Sequence, residues 1–269
     1  MLGIDVSDHN DIIDWKLVKN QIKFCMIRAG MGNEIREKNL EANVQGCEAN
    51  SIPYGFYWFS YAKDKKDAIA EAKTCIRRIK NFHPVFPVTY DFEYATETWG
   101  NSQGVRYTNE LRIEIISAFL DAIAFNGYTP MLYTNYDYII YRGLNKIIKK
   151  YPLWFSYTLS DKKPNISCDI WQYSYTGKIN GINTEVDLNN CYKDYFGNYL
   201  TNMLESVDSN LFEVFFKNNT QQINRYKEAI KYYIANDKNI SSASTKYNCD
   251  SYLMEYIIKK LKENKSWQF

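Results

Sequence analysis

Apolar residues in the first two-thirds of the chain come in short runs separated by amphipathic stretches. Leu2 to Val6 reads as a buried strand that opens the fold. Phe24 to Ala29 is a second, ending at Gly30; Ile52 to Phe59 is a third, Phe86 to Phe92 a fourth and Pro130 to Thr134 a fifth. Helical periodicity lies between them. Asp64 is placed to cap a helix over Lys65 to Asn81, with Ala68, Ala72, Cys75, Ile76 and Ile79 on one face. Thr108 is placed to cap another, through Leu111, Ile115, Phe119 and Ile123 to a stop at Gly127. Strand, helix, strand at this spacing predicts parallel strands with helical crossovers.

After about residue 150 the rhythm changes. Leu153 to Tyr157, Asp169 to Tyr173 and Glu185 to Leu188 are strand candidates with no long amphipathic helix between them. Eight such strands predict an α/β barrel whose last three connections have lost their helices. An open doubly wound sheet fits less well, and no G-x-G-x-x-G follows an early strand. The expected division is a barrel over residues 1–200 and a small all-helical module over 205–269. The module carries ten basic and eight acidic residues and is rich in Lys, Asn and Tyr.

Composition narrows the function classes. The chain has 269 residues, enough for one large domain plus a small one. It is 45% apolar and 24% charged, which excludes a disordered chain. Its net charge of +2 gives little footprint for nucleic acid or an anionic membrane. No apolar run approaches the roughly 20 residues of a membrane span. The start, Met1-Leu2-Gly3-Ile4-Asp5, lacks the basic head and apolar stretch of a standard secretory signal. Six cysteines without a C-x-x-C pair, and only two histidines, argue against a zinc cluster and a dense disulfide framework. Free, mostly buried thiols are expected. Tyrosine is abundant (24 residues), which suits a sugar binder, although coding bias explains it equally well.

The most informative tripeptide is Asp91-Phe92-Glu93, at the end of the fourth strand. Side chains two apart on a strand share a face, so both acids are expected at the C-terminal mouth of the barrel. Two carboxylates so close cannot both ionise freely, and a raised acid beside an ionised one is what glycosidic bond cleavage requires. Asp5 ends the first strand and Asp187 the last, and a closed barrel makes those strands neighbours. Four acids then meet at one rim. The same oxygens would suit a hard cation, an alternative that stays open. Tyr57, Tyr133, Trp154, Trp171 and Tyr173 lie near strand ends and can stack on sugar rings. Arg28, closing an apolar strand, is expected to meet a carboxylate. Nucleophile readings fail: His9 has no G-x-S-x-G partner, and no cysteine has a local histidine.

Taken in order, Gly3-Ile4-Asp5-Val6-Ser7 with His9-Asn10 and Asp14-Trp15, Tyr54-Gly55-Phe56-Tyr57-Trp58-Phe59, Asp91-Phe92-Glu93, Leu153-Trp154, Trp171-Gln172-Tyr173-Ser174, Gly181-Ile182 and Val186-Asp187-Leu188-Asn189 resemble the family 25 glycoside hydrolases, lysozyme-type muramidases of bacteria and phages. The resemblance covers about residues 1–196. It implies a flattened (β/α)5β3 barrel and cleavage of the β-1,4 bond between N-acetylmuramic acid and N-acetylglucosamine in bacterial peptidoglycan. It implies Glu93 as general acid and Asp91 as its partner, with Asp5 and Asp187 completing the acidic cleft. Arg28, Tyr57, Tyr133, Trp154, Trp171 and Gln172 form the expected substrate-binding set, with no metal and no cofactor. Trp58 stands where many members carry His and is expected to point away from the cleft. Such enzymes often carry a wall-binding module, a role open to residues 205–269 alongside oligomerisation or simple packing. With no signal, the expected setting is a phage endolysin made in the host cytoplasm and released to the wall when a holin opens the membrane. The competing reading is a catalytically silent glycan-binding barrel.

Overall fold

A computed structural model describes residues 1–33, 37–195, 216, 219–236 and 238–263. The chain divides into two compact units, Met1–Lys193 and Asp194–Phe269. The expected boundary at residues 200–205 lies outside the described residues.

The first unit is a closed barrel of eight strands in sequence order. These are β1 (Leu2–Val6), β2 (Phe24–Met31), β3 (Tyr54–Phe59), β4 (Val88–Asp91), β5 (Pro130–Asn135), β6 (Leu153–Ser156), β7 (Ile170–Gly177) and β8 (Val186–Cys191). Strands β1 to β7 run parallel, and β8 is antiparallel to both of its neighbours. The short segment from Gly177 to Val186 has no room for a crossover helix, so β8 returns as a hairpin partner. One expectation is corrected here. Asp187 lies at the start of β8, not at its end, and reaches the mouth because that strand runs backwards.

Helices α1 (Trp15–Val18), α2 (Leu40–Ala49), α3 (Lys65–Ile79), α4 (Tyr94–Ser102), α5 (Asn109–Phe125) and α6 (Tyr136–Ile140) fill the first five connections. The fifth connection keeps a helix of five residues, as the (β/α)5β3 pattern implies, although the strand rhythm alone predicts that the last three connections have lost theirs. Asp64 and Thr108 cap α3 and α5 as expected, accepting from Asp67 N and Leu111 N. The stretch after Glu93, to which the strand and helix patterns assign no element, is α4. Glu93 starts it with extended backbone, and its N–H donates to Thr96 Oγ1 at 3.4 Å. Glu97, one turn on, accepts from Arg112 Nη2 at 2.9 Å and Arg142 Nη1 at 3.1 Å. A buried carboxylate held by two guanidinium groups fixes that helix more firmly than its own weak propensity would.

Strand alternation sorts the residues into two cores. Ile4, Val6, Cys25, Ile27, Phe56, Trp58, Val88, Tyr90 and Leu132 point outward and pack with the helices. The opposite faces fill the barrel. Its lower end is plugged by Phe24, stacked on Phe86 with ring centroids 4.6 Å apart. Gly3 makes room for that plug: a Cβ there would lie 2.2 Å from the Phe24 ring. All six cysteines are free thiols.

The second unit contains α7 (Thr220–Ala235), α8 (Ile240–Tyr247) and α9 (Ser251–Glu263). Ile223, Tyr226, Ala229, Ile230, Ala243, Met254 and Ile257 are buried. Asn248, in the left-handed region at φ 51°, turns the chain between α8 and α9. The Tyr226 hydroxyl accepts from Asp250 N at 2.8 Å.

Filling the Gly3 space should overpack the plug. Gly3→Ala is expected to lower stability by about 1–3 kcal/mol, read as a reduced urea midpoint with an unchanged slope.

Candidate active site

The mouth of the barrel holds a cleft of about 450 Å³. Asp5, Arg28, Tyr57, Asp91, Glu93, Tyr133, Trp154, Gln172 and Asp187 line it. Nine of the ten residues expected at the site are therefore brought together. Trp171 is not. Gln172 faces the interior, so its chain neighbour Trp171 must face out, where it packs with Ile139, Leu153 and Phe155 and donates to Tyr157 O at 2.9 Å. Trp58 also faces out, donating to Gly32 O at 3.0 Å.

Closure of β1 on β8 sets Asp5 directly opposite Asp187. Asp5 Oδ2 accepts from Asn189 Nδ2 at 2.7 Å and from Gln172 Nε2 at 3.0 Å. Both amides are themselves fixed. Gln172 Oε1 accepts from the Tyr133 hydroxyl at 2.7 Å, and Asn189 Oδ1 from Trp154 Nε1 at 2.7 Å. Two donors on one oxygen favour the Asp5 anion, although burial pulls its pKa upward. Burial and the facing Asp5 charge push Asp187 up to about 9. At neutral pH Asp187 therefore keeps its proton. It donates to Asp5.

Asp91 and Glu93 form the second pair. Asp91 ends β4, whereas Glu93 sits beyond the strand as the N-terminal cap of α4. The cap residue keeps an extended backbone, so the alternation carries through and both acids reach the cleft. Burial, then the Glu93 charge, push the Asp91 carboxyl well above its usual range, and Arg28 opposes this. Burial also raises Glu93. Asp91 Oδ1 is buried and has no hydrogen-bond partner among the described residues. It is a buried acceptor on a residue that lines the cleft, and the described residues offer it no donor.

Arg28 meets carboxylates, but not the four acids of the cleft. It pairs with Asp8, just after β1, and its Nε donates to Glu37 Oε2 at 2.7 Å. Trp154 wedges edge-on against both Tyr57 and Tyr133, with centroids 5.8 and 4.8 Å apart. This locks the aromatic wall below the acids.

The family model of glycosyl hydrolases family 25 matches residues 4–182. The chain belongs to that family. The autolytic lysozyme of Clostridium acetobutylicum is 27% identical over 192 residues, 70% of this chain and 55% of that protein. The modular autolysin LytC of Streptococcus pneumoniae is 28% identical, with a TM-score of 0.61 over 70% of this chain and 46% of LytC. The chain thus spans about half the length of those two proteins. The catalytic domain of endolysin ply40, from bacteriophage P40 of Listeria monocytogenes, has the same fold: 23% identity and a TM-score of 0.63 over 74% of this chain and 96% of that one. Membership makes the protein a glycoside hydrolase with the family's TIM-like barrel.

Sequence reasoning missed Asn189, Glu37 and Asp8. Asn189 had a signal, since it lies two residues after Asp187 and so shares its face. The loop position of Glu37 carried none.

The Asp187 proton has a stability consequence. A carboxyl with folded pKa near 9 and unfolded pKa near 3.8 contributes stability that is whole below about pH 4 and is lost as pH rises toward 9. Asp187→Asn keeps the donor and cannot ionise. The variant is expected to exceed the wild type in stability at pH 7, by about 1–3 kcal/mol, with the gap widening up to about pH 9. Urea midpoints at pH 5, 7 and 8.5 check this, and a constant gap would refute it.

Proposed function

We propose that the protein is a peptidoglycan hydrolase, an N-acetylmuramidase that cleaves the β-1,4 bond between N-acetylmuramic acid and N-acetylglucosamine. One observation carries this reading within the family: the buried Asp91–Glu93 pair at the mouth, with Asp91 Oδ1 left without a partner. In the free cleft the deeper Asp91 resists ionisation more than Glu93 does. A substrate that offers an amide N–H to the Asp91 carboxylate reverses that order. The 2-acetamido group of the bound sugar supplies such a donor. Asp91 then becomes the anion, and the pair's proton rests on Glu93.

Glu93 gives that proton to the glycosidic oxygen as the C1–O bond breaks. The acetamido carbonyl oxygen closes on C1, and Asp91 holds the positive charge that develops on the ring it forms. Water then adds to C1, loses its proton to Glu93 and reopens the ring. The enzyme ends in its starting protonation state with retained configuration. This substrate-assisted course needs no covalent bond to the protein. Asp5 and Asp187 act as a neutral-plus-anion clamp on sugar hydroxyls. Tyr57, Tyr133 and Trp154 form the apolar floor, with Gln172 and Arg28 positioned to hydrogen-bond substrate.

The setting we propose is that of an endolysin, made inside the host cell and acting on the wall once the membrane is opened. No helix among the described residues is long and apolar enough to cross a membrane. For the helices of the second unit we propose wall targeting, with association between copies of the chain as the other role.

Mass spectrometry of products from purified peptidoglycan tests the reading. Wild type is expected to release muropeptides ending in reducible N-acetylmuramic acid. Glu93→Gln should lose about 10²–10⁴-fold in rate while still sedimenting with the wall. Reducing-end N-acetylglucosamine would overturn the bond assignment, and wall binding without any product would favour a silent glycan binder. The rate should also fall on the alkaline side, as pH passes the raised pKa of Glu93.

A further inference from the structure

A second cavity, of about 400 Å³, opens at the same end of the barrel. It is lined by Met31, Gly32, Tyr61, Lys63, Asp67, Glu71 and Trp99, among others. Three of its walls continue elements of the catalytic cleft, and α3 supplies the fourth through Asp67 and Glu71. Arg28 lines the cleft, and Met31 and Gly32, three and four residues further along β2 and just past its end, line the cavity. Phe59 closes β3 in the cleft, and Tyr61 follows in the cavity. Glu93 begins α4 in the cleft, and Trp99 lies further along that helix in the cavity. The rings run on without a break: Phe59 to Tyr61 is 5.1 Å edge-on, and Tyr61 to Trp99 is 5.1 Å tilted.

The chemistry of the cavity is that of a sugar site. Trp99 is 36% exposed, a large flat ring kept in part-contact with water on a helix that is otherwise tightly braced. Polar groups surround it. Asp67 Oδ2 accepts from Lys63 N at 3.2 Å and stands 3.8 Å from Lys63 Nζ, too long for a strong bond, so the ammonium and the rest of the carboxylate keep hydrogen-bonding capacity for hydroxyls. The floor is rigid, because the buried Glu71 accepts from Tyr61 N at 2.8 Å and from the Tyr90 hydroxyl at 2.6 Å. An aromatic face flanked by fixed and free polar groups is the combination that holds a ring apolar on its faces and polar at its edge.

We propose that this cavity is an outlying saccharide subsite, in which Trp99 and Tyr61 stack a sugar of the same glycan strand whose scissile bond lies between Asp91 and Glu93. The inference rests on the hydrolase reading above. Its consequence is a preference for long strands, set by Trp99 through binding and not through chemistry.

The test uses the full chain and two substrates, peptidoglycan glycan strands stripped of stem peptides and a tetrasaccharide of two disaccharide repeats, with strands that keep their stem peptides as a control. Trp99→Ala is expected to raise KM on the stripped strands about three- to tenfold with kcat unchanged. KM on the tetrasaccharide should not move, and Trp99→Phe should restore most of the loss. Equal kinetics for wild type and Trp99→Ala on the strands would overturn the proposal. A loss seen only on strands that keep their stem peptides would also overturn it and make the cavity a peptide site. A drop in kcat on both substrates would reveal a structural role for Trp99 and would equally refute it. If the wild type cleaved neither substrate, the hydrolase reading itself would fail, a result none of the other arms can produce.

Discussion

Pairing of the backward-running β8 with β1 is the contact on which the rest of this molecule depends. It closes the sheet, removing the two edges that an open array of this length would expose. The same register sets two carboxylates face to face across the seam, Asp5 against Asp187. A sheet would not tolerate two like charges there. The fold accommodates them by keeping a proton on Asp187 and by aiming two anchored amides at Asp5. The price is a pair of ionisable groups tuned far from their ordinary range, at the position where a substrate would lie.

That tuning follows from how the barrel is filled. Its lower end is filled by stacked aromatic rings, with glycine opposite. Above the plug, Tyr57, Tyr133 and Trp154 form a second layer that is buried yet carries polar tips. Carboxylates resting on such a layer lose solvation on one side and keep access to the cavity on the other. Desolvation is accordingly the largest influence on Asp5, Asp91, Glu93 and Asp187 alike. Their differences come from partners. Asp5 has two amide donors, Asp187 has Asp5 and a longer bond from the Gln172 amide at 3.2 Å, and Asp91 has an oxygen with no partner among the described residues.

Helix α4 links this pair to the rim. Its first residue flanks Glu93, its second turn is clamped through Glu97 to two arginines, and its exposed face presents Trp99. One short element thus sets the start of the helix behind the acid and the far wall of the neighbouring cavity. Arg142 also lies over the rings of Tyr94 and Tyr138, at 5.1 and 4.9 Å from their centroids, which ties α4 to α6.

The sequence by itself determined the eight strands, the caps at Asp64 and Thr108, and the inward sides of Asp5, Tyr57 and Asp91. All of these rest on local periodicity and cap chemistry, which act over a few residues. The order of its motifs was also enough to point to the family. Tertiary structure decided the rest. The direction of β8 depends on a hairpin closing against β1, more than 180 residues away. It decided that Asp187 begins its strand. Strand parity at Gln172 turned Trp171 out of the cleft, because only one of two neighbours can face inward and the polar one had partners there. Helix α4 was hidden because its stability comes from Arg112 and Arg142, not from its own residues. Arg28 finds Glu37 and Asp8 through loops whose paths no local pattern encodes. Proton placement is the furthest from the sequence, since it depends on burial and on amides brought from β7 and β8, distances that exist only once the barrel has closed.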